Sequence, residues 1–146
     1  RVTTYYAPFC KLLDQQMTTQ PRPLALVTIH SFEPIYFDRP RDAEIGIIHD
    51  TDSRLADEMI DIMAADQKFQ TCRNDPYGPE DGVTHTLKTH GISNGVLNVM
   101  IEIRNDLVRT GTGQTEIADH LASILRQALE HLGVPLVAGV SNAASH

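Results

Sequence analysis

Apolar residues recur along the chain with two different spacings, and the alternation of these spacings predicts its elements. Between Tyr6 and Met17 they return every three or four positions, and Pro8 is tolerable only in a first helical turn, so this segment is predicted to be an amphipathic helix. Leu24 to Ile29 is instead a continuous apolar run of strand length that ends in β-branched residues. A strand that is apolar on both faces predicts a sheet covered on both sides.

The same two patterns continue toward the end of the chain. Helix-capping residues precede an apolar stripe after position 53, which predicts a second helix. A third helix, of regular period, is predicted to follow the Gly111-Thr-Gly113 turn. This turn lacks the lysine of a phosphate-binding loop and is interpreted as a helix start. The other predicted elements are a short helix from Thr84 to Gly91 and strands at Glu44 to His49, Lys68 to Cys72 and Asn98 to Ile103. Strands that alternate with helices predict an α/β fold with a mixed, largely parallel sheet and helices on both faces.

Composition indicates a soluble globular domain and narrows the classes of partner. The 146 residues are 41% apolar and 21% charged, and a formal net charge of −7 leaves no basic face for a nucleic acid. No run approaches the roughly 20 apolar residues that cross a bilayer. Cys10 and Cys72 lack the spacing of a disulfide framework or a thiolate metal site. We therefore expect a cytoplasmic protein that binds neither nucleic acid nor membrane.

Two polar residues near strand ends are the candidates for chemistry. His30 follows the first apolar run, at the carboxyl end of a strand, where ligands collect in α/β sheets. A histidine there either reaches a metal or a substrate, or is a structural residue bonded to a neighbouring carbonyl. Glu102 lies inside the apolar run from Val99 to Ile103, where a carboxylate needs either a cation, such as Arg104 two positions on, or a catalytic task.

The segments around these two residues resemble a known family. Ile29-His30-Ser31-Phe32 is similar to the late zinc-histidine motif of the zinc carboxypeptidase superfamily, and Ile101-Glu102-Ile103-Arg104-Asn105-Asp106 is similar to its catalytic-glutamate motif. The run from Asn74 to Leu87, with the following His90-Gly91, resembles one branch of that superfamily, the N-formylglutamate amidohydrolases. The similarity extends from about Tyr6 through Leu132.

The resemblance implies a zinc-exopeptidase-like, phosphorylase/hydrolase-like fold. Residues 1–135 are then expected to be the C-terminal part of a single amidohydrolase domain that is incomplete at its N-terminus, and residues 136–146 a flexible tail. The resemblance also implies Zn²⁺ as the cofactor, with His30 as one ligand and with a histidine and an acidic residue upstream of this sequence as the other two. His49 is the reserve candidate for a ligand within the chain.

The activity that the resemblance implies is hydrolysis of N-formyl-L-glutamate to formate and L-glutamate, as in histidine degradation, with Glu102 as the base. The 146-residue chain alone is then expected to be inactive. Two alternatives remain open. One is an amidohydrolase for another N-acyl amino acid, and the other is a noncatalytic ligand-binding or interaction protein that retained the fold.

A dicarboxylate substrate of this kind requires cationic or neutral donors on an acidic chain. Arg104 offers a planar fork suited to a carboxylate, and Arg73 is in reserve. Tyr77 lies in the polar loop 73–82. Its functional interpretation is that it closes over the substrate or donates a hydrogen bond to the oxyanion, and its structural interpretation is that it covers the sheet edge. Asn74 is predicted either to position that loop at the substrate or only to form its turn.

Overall fold

Helices and strands alternate along the chain in the computed structural model, which describes residues 2–19 and 25–134. The helices are α1 (Ala7–Thr19), α2 (Arg54–Asp66) and α3 (Gly111–His131). The strands are β1 (Ala25–Phe32), β2 (Ile35–Tyr36), β3 (Arg39–Pro40), β4 (Ile45–Ile48), β5 (Thr71–Arg73) and β6 (Leu97–Arg104). Shorter helical turns occupy Val2–Tyr6, Pro79–Asp81, Leu87–Gly91, Ile92–Asn94 and Asn105–Val108.

Four of the strands form one sheet, in the order β1-β6-β4-β5. β1 is parallel to β6 and β4 is parallel to β5, whereas β4 runs antiparallel to β6. The predicted mixed, largely parallel sheet is therefore confirmed. The carboxyl ends of β1 and β6 lie at the same edge of the sheet, and β4 begins there. β2 and β3 form a separate small hairpin within a segment whose prolines and charges predict a loop.

Helices α2 and α3 cover one face of the sheet and form the main core with alternate residues of β4 and β6. Its most buried members are Ile45, Ile47, Leu55, Ala56, Met59, Met63, Val99, Ile101 and Ala128. α3 begins where Thr110 Oγ1 accepts a hydrogen bond from the N–H of Gly113 at 3.2 Å. A Cβ at position 113 would lie 2.2 Å from the carbonyl oxygen of Leu107, so this turn needs glycine to begin the helix.

The opposite face of the sheet is covered by α1 and by the turn Leu87–Gly91. From α1, Met17 packs on β1, and from the turn, Leu87 packs on Ile48 and Met100. Helices on both faces are thus confirmed. Because side chains alternate along a strand, the even-numbered residues of β1 and β6 point toward this second face.

Some sequence predictions fall outside the described residues or stay untested. Leu24, the first residue of the predicted first strand, and residues 136–146, the predicted tail, are among the residues not described. The assignment of residues 1–135 to one domain stays a prediction. Within the described residues, no helix is long and apolar enough to cross a membrane.

Candidate active site

His30 and Glu102 lie side by side on neighbouring parallel strands. The register of β1 on β6 places His30 directly opposite Glu102, two residues before each strand ends. Adjacent strands are about 4.8 Å apart, and residues in register share a face, so the imidazole and the carboxylate emerge together. They lie on the face opposite α2 and α3, with the His30 side chain exposed to solvent. The structure therefore brings together the two residues that the sequence selected as candidates for chemistry.

The carboxylate of Glu102 is buried and incompletely satisfied. Glu102 is only 5% exposed, and within the described residues its Oε2 atom has no hydrogen-bond partner. Burial raises the pKa of the Glu102 carboxyl above its ordinary value, and the positive charges of His30 and Arg41 only partly offset that rise. Thr28, two residues before His30 on the same face, likewise has a buried Oγ1 without a partner in the described part. Buried polar atoms without partners are rare in folded proteins, and a carboxylate oxygen in this state is a candidate for binding or catalysis.

Gly46 lets the loop that follows β5 approach this carboxylate. Gly46 is the β4 residue opposite Glu102. A Cβ at position 46 would lie 2.3 Å from the carbonyl oxygen of Asp75 and 3.3 Å from Cβ of Glu102. Any side chain there would displace the loop backbone. The absence of a side chain at this position therefore places the loop 73–82 beside Glu102.

Arg41 is a further cation near Glu102, and it was missed in the sequence. Its guanidinium carbon lies 4.6 Å from the ring centre of Tyr36, 5.1 Å from that of Tyr77 and 5.5 Å from that of Phe32. Its Nη1 donates long hydrogen bonds of 3.4 Å to the hydroxyl of Tyr77 and to the carbonyl of Glu33. The available sequence signal was the clustering of aromatic residues just before an arginine that lies four positions ahead of a buried strand.

Arg104 lies on the same face as Glu102, but its donors are engaged by protein groups. Nε and Nη2 bind both carboxylate oxygens of Asp106, at 2.7 and 3.2 Å, and Nη2 also binds Glu44 at 3.3 Å. Nη1 donates to the backbone carbonyls of Arg41 and Ala43. This geometry ties the end of β6 to the segment that leads into β4. The role of Arg104 as a substrate ligand stays a prediction.

Asn74 anchors the Tyr77 loop to β4. Its backbone N–H donates to the carbonyl of Ile47 at 3.0 Å, and its side-chain oxygen accepts from the N–H of His49 at 2.9 Å. The backbone of Asn74 has a positive φ of 48°, a region that asparagine enters more readily than most residues. Asn74 therefore has the turn-forming role that was one of its two predicted roles. A contact of Asn74 or Tyr77 with substrate stays a prediction.

His49, the reserve metal ligand, has both ring nitrogens occupied. Its Nε2 lies 3.0 Å from Nη1 of Arg73, which can only donate, so Nε2 accepts and Nδ1 carries the hydrogen that reaches the carbonyl of Asp50 at 2.7 Å. Arg73 is in turn paired with Asp57 of α2 at 2.6 Å. His49 thus belongs to a hydrogen-bonded group beside α2, on the other side of the sheet from Glu102.

The donor set for a metal is only partial in the described residues. Within residues 2–19 and 25–134, no group of three or more histidine, cysteine, aspartate or glutamate side chains is placed to hold a metal ion. His30 and Glu102 offer one exposed imidazole and one carboxylate oxygen without a partner. These residues fit one arm of a zinc site with a neighbouring base, and they do not form a complete site.

Comparison with known proteins places the chain in a family. A sequence model of the family N-formylglutamate amidohydrolase matches residues 1–109. None of the curated proteins compared matches the chain significantly. The crystal structure of gene product Atu2144 from Agrobacterium tumefaciens is similar to 90% of this chain and 53% of its own, with 46% sequence identity and a TM-score of 0.85.

A second crystal structure shares the fold at lower sequence identity. N-formylglutamate amidohydrolase from Ralstonia eutropha JMP134 is similar to 92% of this chain and 54% of its own, with 22% identity and a TM-score of 0.62. The chain thus spans about half the length of both structures that it matches. The matched family segment includes both His30 and Glu102, although it ends before α3. The chain therefore belongs to the N-formylglutamate amidohydrolase family.

Proposed function

We propose that the protein is a zinc-dependent amidohydrolase that converts N-formyl-L-glutamate to formate and L-glutamate. The observation that carries the proposal is the buried Glu102 carboxylate, whose Oε2 atom has no partner in the described residues and which lies in register with the exposed His30. The proposal includes the small-molecule substrate, a cytoplasmic location and a place in histidine degradation. Membership of a family of that name supports it.

His30 is proposed as one zinc ligand. The remaining ligands are proposed to lie outside the described residues, since the described ones complete no metal site. Zinc, when bound, supplies a water with a pKa near 7 and a positive charge for the oxygen of the reacting amide. His30 lies in register with Glu102, so a zinc ion held by His30 would have a carboxylate base beside it.

Glu102 is proposed to move the proton. Its carboxylate accepts a proton from the attacking water, whose oxygen forms the new bond to the formyl carbon. The bond from that carbon to nitrogen then breaks, and Glu102 returns the proton to the departing amine, which leaves as L-glutamate. The Oε2 atom of Glu102, which has no partner in the described residues, gives the carboxylate an oxygen that is available to carry this proton.

Substrate binding by Arg104, Tyr77 and Asn74 remains part of the proposal. Tyr77 has the most direct support, because its hydroxyl lies in hydrogen-bond contact with Arg41, whose charge reaches Glu102. An amidohydrolase for another N-acyl amino acid would use the same His30 and Glu102. A noncatalytic protein that retained the fold is favoured by one observation, the incomplete metal-ligand set among the described residues.

The test is formate release from N-formyl-L-glutamate by the full-length gene product, with and without a chelator. We expect chelation to abolish turnover and Glu102→Gln to lower kcat by about 10²–10⁴-fold. Glu130→Gln, at an exposed glutamate of α3, is the matched control and should leave turnover unchanged. Chelator-insensitive turnover or an unimpaired Glu102→Gln enzyme would falsify the mechanism.

A second measurement addresses the metal site itself. We expect the 146-residue chain by itself to bind zinc weakly and to release no formate, because its described residues offer a single arm of a site. Zinc binding is measured by titration against a competing chromophoric chelator. Tight, stoichiometric binding by this chain would contradict the proposal that other ligands are required.

A further inference from the structure

Arg41 differs from the other half-buried arginine of the structure in having no acidic partner. In the described part of the chain two arginines are half-buried, Arg41 and Arg104. Arg104 forms ion pairs with Glu44 and Asp106, whereas no described carboxylate lies within ion-pair distance of Arg41. The chain carries 19 acidic residues and a net charge of −7, so acidic partners are not scarce. A partly desolvated arginine in such a chain normally has a carboxylate partner.

Aromatic rings hold the guanidinium of Arg41 while leaving most of its donors available. The rings of Tyr36, Tyr77 and Phe32 surround the guanidinium carbon at 4.6–5.5 Å, a distance at which a cation is attracted to a ring face. Only Nη1 has hydrogen-bond partners in the described residues, and both bonds are long, at 3.4 Å. An arginine held by ring contacts keeps the edge of its fork available for two parallel hydrogen bonds to a carboxylate.

The contacts of Arg41 place it beside the residues around His30 and Glu102. Its guanidinium carbon lies 5.5 Å from the ring centre of Phe32, which follows His30 by two residues on the same face of β1. It also lies 5.1 Å from the ring centre of Tyr77, in the loop that Gly46 admits beside Glu102. Arg104 Nη1 donates to the carbonyl of Arg41 at 3.3 Å, so Arg104 fixes the backbone that presents Arg41. The loop anchored by Asn74 carries Tyr77, whose hydroxyl accepts a hydrogen bond from Nη1 of Arg41 at 3.4 Å. The predicted substrate residues Arg104, Tyr77 and Asn74 thus all act on the position of Arg41.

We propose that Arg41 binds a carboxylate of the substrate, with its guanidinium contacted by Tyr77 and its backbone carbonyl bound by Arg104. This inference rests on the proposed function and deepens it, because it names the group that selects an acidic N-acyl amino acid. N-formyl-L-glutamate has two carboxylates, and the α- and γ-groups offer the same chemistry to a guanidinium. Substrates in which one or the other carboxylate is replaced by an amide distinguish the two groups.

Removal of the fork should reduce turnover of the dicarboxylate substrate strongly. We expect Arg41→Met in the full-length protein to lower kcat/KM for N-formyl-L-glutamate by about 100-fold, because the charge-assisted pair with the substrate carboxylate is lost. Arg41→Lys keeps the charge without the fork and should be intermediate. Arg39→Met, at an exposed position of β3, is the matched control and should be unchanged. Thermal unfolding of each variant checks that the fold is retained.

Two amide substrates identify the carboxylate. N-formyl-L-glutamine lacks the γ-carboxylate, and the α-amide of N-formyl-L-glutamate lacks the other. On the amide that lacks the carboxylate bound by Arg41, wild type and Arg41→Met should have equal kcat/KM. If Arg41→Met lowers kcat/KM by the same factor on both amides as on N-formyl-L-glutamate, Arg41 is not the ligand. The same conclusion holds if Arg41→Met lowers kcat/KM on none of the three substrates.

A binding measurement separates this inference from the proposed reaction. Calorimetric titration of the Glu102→Gln variant with N-formyl-L-glutamate should show heat of binding. The double variant Glu102→Gln/Arg41→Met should show none. If wild type releases no formate but binding depends on Arg41, the proposed reaction is wrong and the carboxylate site stands. If formate is released and Arg41→Met neither slows turnover nor weakens binding, the reaction stands and the assignment of Arg41 is wrong.

Discussion

His30 and His49 lie near the ends of two strands of one sheet, yet their surroundings are opposite. Both ring nitrogens of His49 are hydrogen-bonded, to Arg73 and to the carbonyl of Asp50. His30 is exposed and, in the described part of the chain, forms no hydrogen bond or ion pair. A histidine whose nitrogens are both used is part of the structure, whereas one with available nitrogens beside a carboxylate has the capacity to bind a ligand.

Two buried carboxylates near these histidines differ in the same way. The side chain of Asp50 is 6% exposed and accepts hydrogen bonds from the Thr84 hydroxyl at 2.6 Å and the Thr51 N–H at 2.9 Å, with Lys88 at 3.1 Å. Glu102, at 5% exposure of the whole residue, has an oxygen without a partner in the described residues. Burial acts to raise the pKa of both groups, but the donors around Asp50 reverse the shift and lower its pKa. Both carboxylates lie near strand ends, so the satisfaction of their oxygens distinguishes them and their position in the sheet does not.

The largest expected difference separates the two histidines. We expect His30→Gln in the full-length protein to lower both zinc content and formate release at least about 100-fold, since changes even to partners of zinc ligands cost 10–100-fold. His49→Gln should leave zinc content and kcat/KM unchanged and should cost only about 1 kcal/mol of unfolding free energy, through its lost hydrogen bonds. Metal analysis and the formate assay measure both.

The reverse result would exchange the roles of the two residues. If His49→Gln lost the metal and His30→Gln kept it, the hydrogen bonds to His49 would have to open in the functional protein. The reserve assignment of His49 as a metal ligand would then be correct. Hydrogen bonding of the ring nitrogens would not distinguish a structural histidine from a metal-binding one.

A smaller difference is expected in the stability of the carboxylate variants. After removal of metal by a chelator, Asp50→Asn should lower the free energy of unfolding by about 1–3 kcal/mol, because the donors from Thr84 and Lys88 lose a charged acceptor. Glu102→Gln should leave it unchanged or raise it, because it removes a buried charge without a full set of donors. Urea unfolding measures both variants, and Asp119→Asn, at an exposed position of α3, is the control. Equal losses for Asp50→Asn and Glu102→Gln would mean that Glu102 has stabilising partners.

Local sequence pattern was sufficient to predict most of the fold. The β-branched run through Ile29 and the apolar run around Glu102 both form strands, in which alternate side chains are buried on one face. The periodic segment after Gly113 forms a helix, in which every third or fourth side chain is buried. The antiparallel direction of β4 was not predicted in this way. It depends on which strands pair, and no single segment carries that information.

The same distinction applies to the candidate site. His30 and Glu102 were predicted because each is polar within or beside an apolar strand. Arg41 was not, because its segment was interpreted as a charged loop and its environment is assembled from residues as distant as Tyr77. Gly46 was also missed. Its importance follows from the approach of the Asp75 backbone, which only the folded chain reveals.

The smallest expected effect is a change in how stability depends on pH. Hydrogen bonds from Thr84 and Lys88 outweigh burial and hold the pKa of Asp50 below its ordinary value of 3.8. A folded-state pKa below the unfolded value stabilises the fold fully above about pH 3.8 and ceases to do so as the pH falls through the folded-state pKa. The difference in unfolding free energy between wild type and Asp50→Asn should therefore be constant near neutral pH and shrink in strong acid. Urea unfolding across this range measures it, with Asp119→Asn giving no pH-dependent difference. A difference that stayed constant below the folded-state pKa would show that the hydrogen bonds to Asp50 do not depend on its charge.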